Sequence, residues 1–135
     1  MSVEMFSTYT GPFVCESKHG PSGHVVLSES PADDAEPKFF GPTDLFALSL
    51  STCILTTMGL VAGRRGIDMR GATARTEKHM ATQPVRRIGR IVVDIHLPAK
   101  LTDDERKLLE RTAHTCPVHR SLHPDIQIEM TFQYV

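Results

Sequence analysis

The hydrophobic pattern of the chain is dominated by residues 45–63, which contain no charged side chain across 19 positions. A stretch that is apolar around most of a helical circumference predicts a buried helix, wrapped by other elements. The stretch is also long enough to span a membrane, but seven serines, threonines and glycines dilute its hydropathy. No second span or basic anchor accompanies it. We therefore predict a core helix and no membrane partner.

The residues that flank this stretch predict where the helix begins and ends. Thr43 is expected to cap the helix, and Asp44 favours its positive end. Arg64 and Arg65 place cations in the last turn, and Gly66 is the expected stop.

Shorter alternating stretches predict strands on both sides of the long helix. They are residues 5–9, 13–17 and 24–28 before it, and 71–79, 87–97 and 125–135 after it. Thr102 and Glu105 form a capping box that opens a second helix, and Pro117 suits the first position of a short third one. The order of elements predicts an α+β fold with a mostly antiparallel sheet.

Length, charge and leader pattern exclude several classes of protein. A chain of 135 residues is sufficient for one domain, 1–135, with a core of its own. The net charge of −1 gives no support for a nucleic-acid partner. The first ten residues lack the basic start and apolar run of a signal peptide, and three cysteines do not form a secreted disulfide framework. We expect a cytoplasmic protein.

Two of the three cysteines occupy settings that suit redox chemistry. Cys116 immediately precedes Pro117 at a predicted helix start, where positive partial charge lowers the pKa of a thiol. Cys53 lies within the long apolar helix, where the alternative to catalysis is simple packing as a small hydrophobe. Cys15 lies in a predicted strand and is interpreted as packing. If the fold brings Cys53 and Cys116 together, thiol chemistry is favoured over packing.

A second cluster near Cys116 is rich in potential metal ligands. His114, Cys116, His119 and His123 fall within ten residues, and thiolate plus imidazole ligands suit zinc. The alternative is a solvated helix end whose histidines complement the helix dipole, and Pro124 favours it by ending the helix. The glycine-rich loops that hold phosphate cofactors are absent, and we expect no cofactor.

Two motifs together resemble the OsmC/Ohr family, the osmotically inducible protein C and organic hydroperoxide resistance proteins. The motifs are residues 41–53, GPTDLFALSLSTC, and residues 116–119, CPVH. The likeness extends well from residue 39 to the C-terminus and more loosely over the first strands. It implies a mostly antiparallel sheet wrapping a long buried central helix, an intertwined homodimer with active sites at the subunit interface, and thiol-dependent reduction of hydroperoxides.

The resemblance also implies roles for the two cysteines. Cys53 would be the peroxidatic cysteine, whose thiolate attacks the peroxide and becomes a sulfenic acid. Cys116 would be the resolving cysteine, which condenses with that sulfenic acid to give a disulfide. A dithiol reductant would then restore both thiols by exchange.

The chain departs from the hydroperoxide-reducing branch near the start of the long helix. A glutamate usually lies ten residues before the first cysteine in that branch, and this chain has Thr43 there, so the adjacent Asp44 is expected to substitute. The branch also uses an N-terminal arginine, whereas no arginine precedes Arg64 here. A non-catalytic OsmC-like binding or redox-sensing module is therefore the alternative to a peroxidase, and a zinc-binding domain is a weaker one.

Overall fold

The computed structural model describes all 135 residues, and the chain forms two compact units, Met1–Leu45 and Phe46–Val135. The first unit contains the strands β1 (Met5–Tyr9), β2 (Val14–His19) and β3 (Val25–Glu29). Helix α1 (Pro42–Arg64) starts in the first unit and continues through the second. The second unit also contains β4 (Thr73–Ala81), β5 (Arg87–Leu97), α2 (Asp103–Ala113), α3 (Pro117–Ser121) and β6 (Gln127–Tyr134).

The first three strands form an antiparallel sheet in the order β1-β2-β3. The predicted strands are confirmed to within two residues. The second strand starts after Phe13 because this residue adopts the left-handed backbone of a turn, with φ of 62°. Its amide donates a 3.0 Å hydrogen bond to the hydroxyl of Tyr9, which holds the turn.

The second sheet has the order β4-β5-β6 and combines two strand directions. Strands β4 and β5 are antiparallel, as the sequence predicts, but β6 runs parallel to β5. The expectation of mostly antiparallel pairing is confirmed, since three of the four strand pairings are antiparallel, but the strands form two three-stranded sheets instead of one. The physical reason for the parallel pairing is the connection: α2 and α3 lie between β5 and β6, and such a crossover returns the chain to the end of the sheet from which β5 started.

Helix α1 buries one longitudinal stripe in the core of the second unit. The buried residues recur at helical spacing and are Ala47, Leu50, Ser51, Ile54, Met58 and Ala62. The core also contains the inward side of β5, where Ile91, Val93 and Ile95 are fully buried, as their alternation predicts.

The side of α1 opposite the buried stripe carries exposed apolar residues in the single chain. Phe46 is 44% exposed and Leu60 is 64% exposed, whereas the buried residues of α1 lie along the single stripe described above. By length and composition α1 would also qualify as a membrane span, a test that core helices of soluble proteins pass as well.

The start of α1 is one residue earlier than its predicted cap. The helix begins at Pro42, so Thr43 lies within the first turn and is not the cap. Proline is well suited to this first position because it has no amide to leave unpaired. Asp44 reaches back, and its carboxylate accepts a 2.8 Å hydrogen bond from the amide of Gly41.

The ends of the shorter helices follow the sequence closely. Thr102 and Glu105 form the predicted capping box. The amide of Glu105 donates a 3.2 Å hydrogen bond to the Thr102 hydroxyl, and the amide of Thr102 donates a 2.9 Å hydrogen bond to the Glu105 carboxylate. Helix α3 has Pro117 in its first turn and Cys116 as its N-cap. These local signals position Cys116 within the core.

The end of α1 provides a stability test with a matched control. Gly66 has a φ of +68° and allows the amide of Ile67 to donate a 2.9 Å hydrogen bond to the carbonyl of Ala62. Because an L side chain is strained in this conformation, Gly66→Ala should lower the free energy of unfolding by about 1–2 kcal/mol. In contrast, Gly63 lies within the helix, and a Cβ added there would meet no other part of the protein within 4 Å. Gly63→Ala should therefore raise the free energy of unfolding by about 0.5–1 kcal/mol. Urea unfolding measures the change in the free energy of unfolding for each variant. Equal changes in Gly66→Ala and Gly63→Ala would contradict this account.

Candidate active site

The two cysteines singled out by the sequence meet inside the second unit. Cys53 lies in the middle of α1, beside the buried stripe, and packs against the core. Cys116 lies at the start of α3 and belongs to the core itself. Although the residues are 63 positions apart in sequence, Cys53 lies close enough to Cys116 to raise the pKa of the Cys116 thiol. The structure therefore supplies the proximity that a two-thiol centre requires.

The two thiols differ in exposure. Cys53 is the more exposed of the two, although its place in the apolar helix predicted a buried position. Cys116 is 0% exposed, whereas Cys53, predicted to lie deep inside its helix, is only partly buried. The reason is that Cys53 falls on the flank of the stripe occupied by Leu50 and Ile54, so one side of it faces outwards. Small molecules from solvent therefore reach Cys53 more readily than Cys116.

The environment of Cys116 also corrects the expectation of a thiolate at a helix start. Burial raises the pKa of the Cys116 thiol, and the adjacent Cys53 raises it further. The backbone amide of His119 donates a 3.2 Å hydrogen bond to the Cys116 sulfur and acts in the opposite direction, but burial has the larger effect. Cys116 thus stays protonated when Cys53 is charged.

Cys53 has a second polar neighbour that the sequence reasoning missed. The hydroxyl of Thr57 lies 3.9 Å from the Cys53 sulfur, one helical turn further along α1. The available signal was the spacing, because residues four apart on a helix lie on the same face.

The other residues considered for the site lie in the first unit. Asp44 caps the start of α1 through Gly41, as described above. Roles for Asp44 and Thr43 near the thiols stay predictions.

The histidines near Cys116 do not form a metal site. The rings of His114 and His119 meet edge to face with centroids 6.1 Å apart, and Nδ1 of His123 accepts a hydrogen bond from the amide of Asp125. No group of three or more histidine, cysteine, aspartate or glutamate side chains in the structure is arranged to hold a metal ion. The zinc-binding alternative therefore lacks a ligand set.

Comparison with solved structures finds the same fold in several bacterial proteins. A protein of Psychrobacter arcticus 273-4, provisionally assigned to the osmotic stress and detoxification response, is 36% identical and has a TM-score of 0.88, over 95% of this chain and 93% of that chain. The organic hydroperoxide resistance protein OsmC of Legionella pneumophila is 15% identical, with a TM-score of 0.76 over 98% and 97% of the two chains. OhrB of Bacillus subtilis, an organic hydroperoxide resistance protein, is 14% identical, with a TM-score of 0.72 over 98% of each chain. A comparison with curated proteins found no match.

The family comparison agrees with the structural one. A family model described as OsmC-like protein matches residues 35–131, which include most of the chain and both cysteines of the thiol pair. The α+β fold with its long helix is shared with the OsmC-like structures. The chain therefore belongs to the OsmC-like family.

Proposed function

We propose that the protein is a thiol-dependent peroxidase that reduces organic hydroperoxides through a cycle of Cys53 and Cys116. The observation that carries the proposal is the contact between one accessible and one buried thiol in the second unit. Family membership supports it, since proteins with this fold include organic hydroperoxide resistance proteins. The raised pKa of Cys116 supports the assignment of roles.

In the first step the Cys53 thiolate attacks the outer oxygen of the hydroperoxide. The O–O bond breaks, an S–O bond forms, and the alkoxide leaves and takes up a proton to become an alcohol. The sulfur of Cys53 is thereby oxidised to a sulfenic acid. Cys53 suits this role because it is the partly accessible member of the pair.

In the second step Cys116 resolves the sulfenic acid. Its sulfur attacks the sulfur of Cys53, the S–O bond breaks, and the hydroxyl group leaves with the Cys116 proton as water. A thiol that burial keeps protonated carries that proton to the site. The product is a Cys53–Cys116 disulfide, with one water released.

In the third step a dithiol reductant regenerates the enzyme. One reductant thiolate attacks a sulfur of the disulfide, and its second thiol displaces the protein from the mixed disulfide, leaving an oxidised reductant and two protein thiols. Attack at Cys53 is favoured, because Cys116 has no exposed surface from which a reductant could approach it.

A redox-sensing module is the second candidate, and one feature favours it. Thr43 occupies the position at which the hydroperoxide-reducing branch usually has a glutamate, so this chain lacks that carboxylate. A sensor would form the same disulfide but would not turn over with a dithiol. Steady-state consumption of an alkyl hydroperoxide separates the two, since only a peroxidase exceeds the rate of the free dithiol.

Substitution of each cysteine tests the assigned roles. Cys53→Ser should reduce hydroperoxide consumption to that of the dithiol alone, because a serine hydroxyl is a far poorer nucleophile at neutral pH. Cys116→Ser should allow one turnover and then stop at a sulfenic acid that a dimedone probe traps, because no resolving thiol remains. Cys15→Ser is the control and should keep the activity. Full activity in Cys53→Ser would refute the mechanism.

We also propose that the functional protein is a homodimer in which a second copy covers the outer side of α1. Phe46 and Leu60 form part of an exposed apolar face that is costly in water. We expect sedimentation at micromolar concentration to give the mass of two chains. Leu60→Glu should shift the protein towards the monomer, because it places a charge on that face. A wild-type protein that sediments as a stable monomer would contradict the proposal.

A further inference from the structure

The hydroxyl groups along α1 follow a common rule, and Thr57 departs from it. The hydroxyls of Ser49, Ser51, Thr52 and Thr56 all donate hydrogen bonds to backbone carbonyls three or four residues earlier. This is the usual way for serine and threonine to satisfy their hydroxyl within a helix. The hydroxyl of Thr57 instead lies 3.9 Å from the sulfur of Cys53.

The helix geometry explains why this hydroxyl meets the sulfur. Side chains of an α-helix lean towards its N-terminus, so the residue four positions after Cys53 lies above it on the same face. Thr57 is half-buried, as is Cys53, so water only partly screens the contact. The hydroxyl is thus positioned beside the atom that changes charge in the proposed reaction.

We propose that Thr57 is a catalytic residue that donates a hydrogen bond to the Cys53 thiolate and holds it ready for attack. This inference rests on the proposed function in taking Cys53 as the nucleophile. The distance of 3.9 Å is long for a hydrogen bond, and it shortens when the sulfur is ionised, because hydrogen bonds to charged acceptors are shorter and stronger.

Cys116 also lies near the same sulfur. Burial raises the pKa of the Cys116 thiol, which therefore favours its protonated form beside Cys53. Thr57 would stabilise the thiolate as a neutral donor, which distinguishes this arrangement from stabilisation by a guanidinium group.

Alkylation of Cys53 as a function of pH tests the inference directly. Iodoacetamide reacts with thiolates, and trypsin separates the three cysteines into peptides 1–18, 39–64 and 112–120. Mass spectrometry then follows Cys53 alone in the full-length protein. Thr57→Val removes the hydroxyl and retains the shape of the side chain, whereas Thr57→Ser retains the hydroxyl. Thr56→Val is the matched control, since the Thr56 hydroxyl bonds only backbone carbonyls.

The expected result is a change in the pH profile of one variant. In Thr57→Val the midpoint of Cys53 alkylation should rise by about one pH unit relative to wild type, because the thiolate loses a charge-assisted hydrogen bond. At high pH the alkylation rate of Cys53 in Thr57→Val should equal the wild-type rate or exceed it by up to about threefold. The reason is that a more basic thiolate is intrinsically more nucleophilic. Thr57→Ser and Thr56→Val should both follow the wild-type profile.

Three outcomes would overturn the inference. They are an unchanged midpoint in Thr57→Val, a Thr57→Ser profile that matches Thr57→Val, and a Thr56→Val shift as large as that of Thr57→Val. If Thr57→Val fails to fold, Thr57→Ala gives the same comparison.

The same variants separate this inference from the proposed function. Hydroperoxide consumption by Thr57→Val at neutral pH should fall several-fold below wild type if both are correct. A shifted alkylation profile in a protein that consumes no hydroperoxide would refute the peroxidase and leave the Thr57 contact standing. An active peroxidase with an unshifted profile would refute the role of Thr57 alone.

Discussion

The arrangement of the thiol pair depends on the burial of one stripe of α1. The stripe through Leu50, Ile54 and Met58 packs into a core shared with β5 and α2, and this packing fixes the rotation of the helix about its axis. Each residue advances a helix by about 100°. A shift of one position in the packing would therefore turn Cys53 away from Cys116. The apolar core of the second unit thus determines the geometry of its chemistry.

The same packing makes two identical side chains behave differently. Cys116 is part of the core, so desolvation favours its neutral form, while Cys53 lies partly exposed at the margin of the stripe. Once Cys53 is ionised, its charge further disfavours ionisation of Cys116. Ionisation of the buried sulfur of Cys116 is therefore disfavoured. Such an asymmetry suits the proposed pairing of a nucleophile with a proton-carrying partner.

The sequence predicted the features that arise from local interactions. The capping box at Thr102, the cap at Cys116 and the bounds of β5 all follow from neighbouring residues, and the structure reproduces them. Non-local features were harder to predict. The parallel pairing of β6 depends on the crossover through α2 and α3, and the raised pKa of Cys116 depends on burial by distant segments. A helix-start argument alone gave the wrong direction for that pKa because it omitted desolvation.

Thr57 illustrates a further limit of pattern reading. Its position four residues after Cys53 was visible in the sequence, but threonine within an apolar helix usually bonds its own backbone, as Thr56 does. Only the structure distinguishes a hydroxyl that bonds a carbonyl from one that lies beside a sulfur.

The most direct test of the central claim is the disulfide formed with one equivalent of an alkyl hydroperoxide. After alkylation of the remaining thiols and digestion with trypsin, this account predicts a linkage between peptides 39–64 and 112–120, which contain Cys53 and Cys116. Peptide 1–18 should carry an alkylated Cys15. A bridge that includes Cys15 as the main product, or no bridge between Cys53 and Cys116, would contradict the account.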